Sequence, residues 1–260
     1  MTPTWILESN LSRSGVDQIE AACAALSVPS RRVQVRPFDP DPPDIDVPSP
    51  VVFYGATNFV TAIYRSRRYW PGVFFDEENF RVASYLGHWH MLNSDAELTT
   101  LEEFGRRSLD PEQLFFIRPD RDLKEFAGEV VRFADFAVWV DRISAGGGML
   151  GPDCRIVVAE PVGIADEWRL FVVQGQVVTG SHYRSYLRLD VRPDVPVEVV
   201  EFAEAMARTW SPAEVFALDV GRSGPDLYVI EANCMNSAGF YAADVPALVA
   251  RITEFVRSMP

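Results

Sequence analysis

The chain has 260 residues, 48% hydrophobic and 23% charged, an ordinary balance for a globular protein with room for a sizeable core. Its formal net charge of −13 opposes non-specific attraction to nucleic acid or anionic lipid. No apolar run reaches bilayer length and the start MTPTWILESN has neither a basic stretch nor an apolar signal core, so the expectation is a cytoplasmic protein without a membrane partner.

In chain order, TWILE (4–8) reads as a buried strand and GVDQIEAACAALS (15–27) as an amphipathic helix. RRVQVRPF alternates, as a second strand would, and the proline- and aspartate-rich DPDPPDIDVPSP (39–50) must be an irregular connector. VVFYGAT is a third strand-like run. A helix is expected from Asn58 to Trp70 and another around 79–92. Arg65, Arg67 and Arg68, set among aromatics in YRSRRYW, read as a solvated helix face, with contact to an anionic or polymeric substrate as the alternative. TTLEEFGRRS opens on a capping-box pattern, Thr99 with Glu102 or Thr100 with Glu103. A domain boundary fits between Asn93 and Thr99, leaving an α/β unit over 1–95 and a second unit over 96–260.

From about Gln113 the pattern changes to strands joined by glycine-rich turns. QLFFIRPD is a strand ending in Arg118-Pro119, EFAGEVVRF fits either strand or helix, and ADFAVWVDRIS is helical. CRIVVAEPV is a strand, and EWRLFVVQGQVVTGSHY is a hairpin turning at Gln174-Gly175. PVEVVEFAEAMARTW is an amphipathic helix, AEVFALDVGRSGPDLYVIEAN a second hairpin, and VPALVARITEFVRS a closing helix.

The second hairpin carries the chemistry. Side chains alternate along a strand, so Glu231 and Asn233 share a face, and Asp219 on the preceding strand returns to within a residue of Glu231. For the two carboxylates to stand opposite each other on one face, the connecting loop must have odd length or a strand must bulge. Two carboxylates and an amide oxygen on one face repel unless something positive lies between them, and hard oxygen donors in this number suit Mg²⁺. Arg118 at a strand end, Lys124 in the following turn and Arg169, alternating with Glu167, supply cations for phosphates. IVVAEPVGIADEWR adds a linker whose backbone can read adenine, with the Glu167 carboxylate placed for ribose hydroxyls. The glycine-rich SAGGGMLGPD (144–153) lacks a P-loop ending and reads as a mobile connection. Cys23, Cys154 and Cys234 are far apart and suggest neither disulfides nor zinc, Cys234 reading as a packing residue; His88, His90 and His182 read as partly buried, not as ligands.

This ordered set resembles the ATP-grasp superfamily, whose two α+β lobes clamp ATP between antiparallel sheets, and within it the clade named for two arginines and a lysine. FIRPDRDLKEFAG, EWRLFVVQGQVVTGSHYRSY and NSAGFY are similar to that clade's pattern; the EAN tripeptide and the seven-residue step from Glu160 to Glu167 are shared with D-alanine–D-alanine ligases. The usual strand-end lysine is Arg118 here, and the arginine usual two residues before the metal aspartate is Ala217, so Arg169 or Arg184 would have to supply that charge.

The resemblance implies an α+β ATP-grasp fold, with lobes over 96–165 and 166–260, behind a small α/β domain. It implies ATP and Mg²⁺ as cofactors and a ligase that activates a carboxylate as an acyl phosphate for attack by an amine or thiol. Asp219, Glu231 and Asn233 would hold magnesium, Arg118, Lys124 and Arg169 the phosphates, and Glu167 the ribose. Glu160, Pro161, Val162 and Gly163 would form the adenine edge. Asn236, Ser237 and Tyr241, with Tyr183 and Arg184, would face the acceptor. Partners would be small-molecule or peptide carboxylates and amines. A phosphotransferase that stops at phosphoryl transfer, and a nucleotide-binding module without turnover, are the competing readings.

Overall fold

The computed structural model describes residues 1–10, 14–36, 39, 41–122, 125–145 and 150–260, in which three sheets stand out. The first is parallel, in the order β2 (Ser30–Val33), β1 (Thr4–Glu8), β3 (Val51–Tyr54) and β4 (Pro71–Gly72). Helix α1 (Ser14–Leu26) lies between β1 and β2, and α2 (Thr57–Ser66) follows β3. β1 and β3 are nearly continuous apolar runs because parallel strands are covered on both faces. One cover is α2 with the connector at Val35 and Ile45; the other is α1 together with the last third of the chain. Trp5, Leu7, Ile19 and Tyr54 share a core with Phe171, Val215, Met235, Phe240 and Ile252.

The middle sheet is antiparallel, in the order β5 (Glu97–Thr100), β8 (Arg155–Ala159), β6 (Leu114–Pro119) and β7 (Glu129–Arg132). α4 (Leu101–Gly105) and α5 (Phe136–Ala145) cover one face, where Phe104, Phe136 and Trp139 meet Ile117, Ile156 and Val158. The capping pattern forms at Thr100, whose hydroxyl accepts the Glu103 N–H at 3.1 Å. Alternation then turns Phe116 and Arg118 of β6 to the opposite face, where the neighbouring Val157 packs against Val82, Tyr85 and Met91.

The third sheet runs β11 (Arg188–Arg192), β10 (Gln176–Ser185), β9 (Asp166–Val173), β12 (Val215–Ser223) and β13 (Asp226–Asn233). Both expected hairpins form. Gln174 and Gly175 take φ of 52° and 75°, the pair of positive values a type I′ turn demands. Along β9 and β12, Trp168, Leu170, Leu218 and Val220 face α6 (Val197–Thr209), while Phe171, Val173, Val215 and Ala217 face α7 (Val245–Ser258).

Two expected helices are shorter in the structure. α2 stops at Ser66, because Arg67 adopts φ 53° and turns the chain out of the helix. Over 79–92 only Val82–Tyr85 is helical (α3). Its apolar residues are buried one by one instead, and the backbone pairs with an edge strand: Val229 donates to the His90 carbonyl at 2.8 Å and Leu92 donates to the Val229 carbonyl at 3.0 Å. The strand expected from Arg31 onward is confined to Ser30–Val33, and the ambiguous EFAGEVVRF resolves to the strand β7. None of the described residues forms a helix long and apolar enough to cross a membrane.

Candidate active site

Three neighbouring strands put Arg169, Asp219 and Glu231 in one row, Arg169 opposite Asp219 and Asp219 opposite Glu231. The hairpin achieves this through a bulge. Ser223 pairs with Asp226 across a two-residue loop, an even length that would set Asp219 against Ile230; an extra residue between the Val220–Val229 and Asp219–Glu231 pairs shifts the register by one. Ile230 is that residue, and it lies over Gly221, where a Cβ would come within 2.9 Å of its Cδ1. Any side chain at 221 would push the bulge, and with it Glu231, off the row.

Asp219 is buried, and Arg169 grips it with both arms, Nε to Oδ1 at 2.8 Å and Nη2 to Oδ2 at 2.7 Å. Burial pushes the Asp219 carboxyl up, and the guanidinium pulls against it. Burial would also raise Glu231, but Arg118 and Arg169, with the Asn233 amide, hold it below the ordinary carboxylate range. Asn233 Nδ2 donates to Asp219 Oδ2 at 3.3 Å and to Glu231 Oε1 at 3.1 Å. One amide nitrogen therefore occupies the point between the carboxylates at which a cation would be attracted. Rotating the amide by half a turn exchanges that nitrogen for Oδ1 and yields three convergent oxygens. The set fits Mg²⁺, a hard ion content with one or two carboxylates plus waters and phosphate oxygens. Among the described residues no group of three or more His, Cys, Asp or Glu side chains could hold a metal.

Arg118 comes from the facing sheet. It ion-pairs with Glu231 through Nη2 and donates from Nη1 to the Ile230 carbonyl at 3.2 Å, so the end of β6 and the bulge of β13 close over one spot. The end of β6 is anchored by Asp120, which sequence reasoning missed. Fully buried, Asp120 accepts from the Ala83 N–H at 2.9 Å and from Arg81 Nε at 3.0 Å, and its carbonyl accepts from Val82 at 2.8 Å. Two clefts open beside Arg118. A mainly apolar slot of ≈360 Å³ lies between Phe116 and Val157 on one side and Leu86, Met91 and Ile230 on the other. A polar one of ≈560 Å³ is lined by Arg118, Arg121, Asp122, Glu231 and Asn233. Glu160, Pro161, Val162 and Gly163 follow β8 directly at the edge of this region and are all exposed.

The other site residues separate into two groups. Glu167 is buried, accepting from Tyr183 Oη at 2.6 Å and Arg184 Nη1 at 3.2 Å. Tyr183 stacks on Tyr241 at 4.8 Å between centroids, with the Arg169 guanidinium 5.3 Å from the Tyr241 ring. Tyr241 takes φ 53°, a conformation that non-glycine residues hold only when their surroundings enforce it. Ser237 is buried, its N–H donating to the Cys234 carbonyl at 3.2 Å. Lys124, and the central glycines 146–148 of the expected mobile connection, lie outside the described residues.

Asn236 does not face an acceptor. Its side chain is fully buried, and both ends of the amide are spent on distant backbone: Nδ2 donates to the Phe53 carbonyl at 2.6 Å, and Oδ1 accepts from Phe74 N–H at 2.8 Å. It ties the metal-hairpin exit to the parallel sheet. Asn236→Ala strands two buried backbone groups, and about 3 kcal/mol of unfolding free energy should be lost, read from the urea midpoint. The histidines also differ from expectation: His182 is buried, bonded to Asp166 and to the Asp190 carbonyl, while His88 and His90 are exposed and stack on Trp210 and Tyr228.

Residues 42–252 match the model of an ATP-grasp domain, family 3 of the clade named for two arginines and a lysine. The RimK domain ATP-grasp protein from Sphaerobacter thermophilus superposes with a TM-score of 0.61 at 13% identity, covering 98% of this chain and 100% of that one. The ATP-grasp ligase PsnB, complexed with a phosphomimetic variant of its minimal precursor, Mg and ADP, gives 0.60 at 12% identity over 98% of each chain. D-alanine–D-alanine ligase from Bacillus anthracis complexed with ATP gives 0.56 at 10% identity over 99% of each. At these identities the likeness is one of fold, and the fold is ATP-grasp. No curated protein matches by sequence.

Proposed function

The chain belongs to the ATP-grasp domains, in family 3 of the two-arginine-and-lysine clade, and from that premise we propose that it is an ATP- and magnesium-dependent ligase. It activates a carboxylate as an acyl phosphate and passes the acyl group to an amine or similar nucleophile. The observation that carries this reading is the meeting of Arg118, from one sheet, with the Arg169–Asp219–Glu231 row of the other. Two guanidiniums and two carboxylates so close, on facing sheets with a cleft on either side of Arg118, make a seat for a polyanion and its counter-cation. The solved relatives that carry the name ligase, one with Mg and ADP and one with ATP, support the same reading.

In this reading Asp219, Glu231 and Asn233 hold Mg²⁺, which supplies charge neutralisation between phosphate oxygens when bound. Arg118 exchanges Glu231 for phosphate, and Arg169 stays fixed on Asp219, holding that carboxylate's orientation. The apolar slot by Phe116 and Val157 takes the adenine, with the backbone of 160–163 at its edge and Glu167 toward the ribose. The chain does no covalent chemistry; its groups position the reactants and stabilise charge as the carboxylate oxygen attacks the terminal phosphorus and ADP departs. The nucleophile's lone pair then forms the new bond to the acyl carbon as phosphate leaves. Lys124 as a further phosphate contact, Arg184, Tyr183, Ser237 and Tyr241 toward the acceptor, the division at residues 95/96 and a cytoplasmic setting belong to the same proposal.

Incubation with Mg·ATP, candidate carboxylates and hydroxylamine tests it. ADP together with a hydroxamate is the expected result, since only an acyl phosphate gives that adduct. ADP without hydroxamate would point to a phosphotransferase, and nucleotide binding without ADP to a module.

A further inference from the structure

The third sheet ends on β11, and no strand of the described residues pairs with its outer side. Two other sheet edges are blunted. β2 presents the charged Arg31 and Arg32, and the outer side of β13 is met at Val229 by the segment carrying His90 and Leu92. β11 is different. Leu189 and Val191 are 72% and 42% exposed, and at the hairpin tip beside them Leu187 is 96% exposed. Large apolar side chains gathered along an unpaired edge are a template for another strand.

The side chains of β11 divide between the two faces of the sheet. Arg188 stands opposite Ser185, whose hydroxyl donates to Asp190 at 3.3 Å, and Asp190 pairs with Arg192 at 3.2 Å; these are the charged face. Leu189 stands opposite Arg184, and Arg184 opposite Glu167, so Leu189 belongs to the face that carries Glu167, Arg169 and Asp219. Asp190 has room for a second cation, its side chain being 41% accessible. The exposed Arg188 side chain makes no hydrogen bond or ion pair with any described residue.

We propose that β11 is the contact of a symmetric homodimer, in which two copies of the chain join their third sheets edge to edge. Hydrogen-bonded across a two-fold axis, the strands run antiparallel, and one strand must be complementary to itself. Opposed residues share a sheet face, so the axis has to pass through a residue; between two residues it would set apolar side chains against the charged face. The sequence R-L-D-V-R then leaves few registers. Centred on Asp190, the strands oppose Asp190 to Asp190 and Arg188 to Arg192, like charges throughout. Centred on Val191, they oppose Leu189 to Pro193, which has no N–H to give. Centred on Leu189, they put Arg188 opposite the second copy's Asp190 twice over and Leu189 on Leu189 at the axis. Val191 of each copy then reaches the exposed Leu187 of the other. That register matches the unpaired arginine and the apolar side chains of the edge together.

Sedimentation velocity at physiological salt tests the pairing. Wild-type protein is expected to sediment as a dimer. Arg188→Glu and Asp190→Lys each set like charges opposite one another, and each alone should self-associate at least tenfold more weakly. Mixed in equal amounts, the two variants bring opposite charges together at both pairs, so a heterodimer within threefold of the wild-type affinity should form. That rescue also shows both variants to be folded. Leu189→Lys places two like charges at the axis and should be monomeric. A monomeric wild-type protein overturns the proposal and leaves the edge to a chain of another kind. Single variants that dimerise as wild type does place the contact elsewhere, and a mixture that stays monomeric removes the register; either result overturns it as well.

Discussion

Glu231→Gln is expected to lower magnesium-dependent ADP formation about 10³-fold, some 4 kcal/mol of transition-state stabilisation, while the protein stays folded. The amide keeps the shape of the carboxylate but removes its charge from the position where Asp219, Asn233 and Arg118 converge. The fold should tolerate this for a local reason. The Glu231 side chain is 27% accessible and its partner Arg118 17%, so water can serve a guanidinium that loses its ion pair. Neutralising Glu231 also relieves its repulsion with Asp219, which offsets part of the lost attraction. A loss of about 1–2 kcal/mol in urea unfolding is consistent with one charged hydrogen bond given up at a partly open site. ADP release by Glu231→Gln at the wild-type rate, over a magnesium titration, would remove the metal assignment.

How much of this is legible in the sequence depends on the range of the interactions. Glu231 and Asn233 on one face follow from strand alternation, a property of adjacent residues, and the need for a bulge or an odd loop follows from counting between Asp219 and Glu231. Which residue bulges does not follow, because it depends on Gly221 across the hairpin leaving room for Ile230. Asn236 escapes sequence reasoning for a stronger version of the same reason. Its partners, Phe53 and Phe74, are 183 and 162 residues away, and nothing within NSAGFY distinguishes an amide that bonds a substrate from one that bonds the backbone. Asp120 does not stand out between Arg118 and Arg121, since its value lies in backbone and guanidinium donors from residues 81–83. The segment 79–92 shows local periodicity losing to tertiary pairing: Val82, Tyr85 and Trp89 are spaced as a helix would have them, yet the edge of β13 offers its backbone as the alternative partner.

Asp219→Asn should separate from Glu231→Gln, although both remove one carboxylate from the same proposed ion. Activity falls in each, but Asp219→Asn is expected to cost about 3–5 kcal/mol of folding stability as well, seen as a much lower urea midpoint. The Asp219 side chain is 2% accessible and Arg169 10%, and the two guanidinium hydrogen bonds run in parallel to the two oxygens. An asparagine offers one acceptor and turns an NH₂ toward a cation, leaving Arg169 charged and poorly matched where water cannot reach it. The double variant Arg169→Met/Asp219→Leu tests whether that stranded charge is the cause. With both ions gone and comparable volume restored, most of the lost stability should return while ADP formation stays abolished, because an apolar pair can replace a buried salt bridge in the core but not at a metal. A double variant as unstable as Asp219→Asn would mean that the row is held by something other than its charges. Equal stabilities for Asp219→Asn and Glu231→Gln would show that the difference in burial along the row carries no energetic weight.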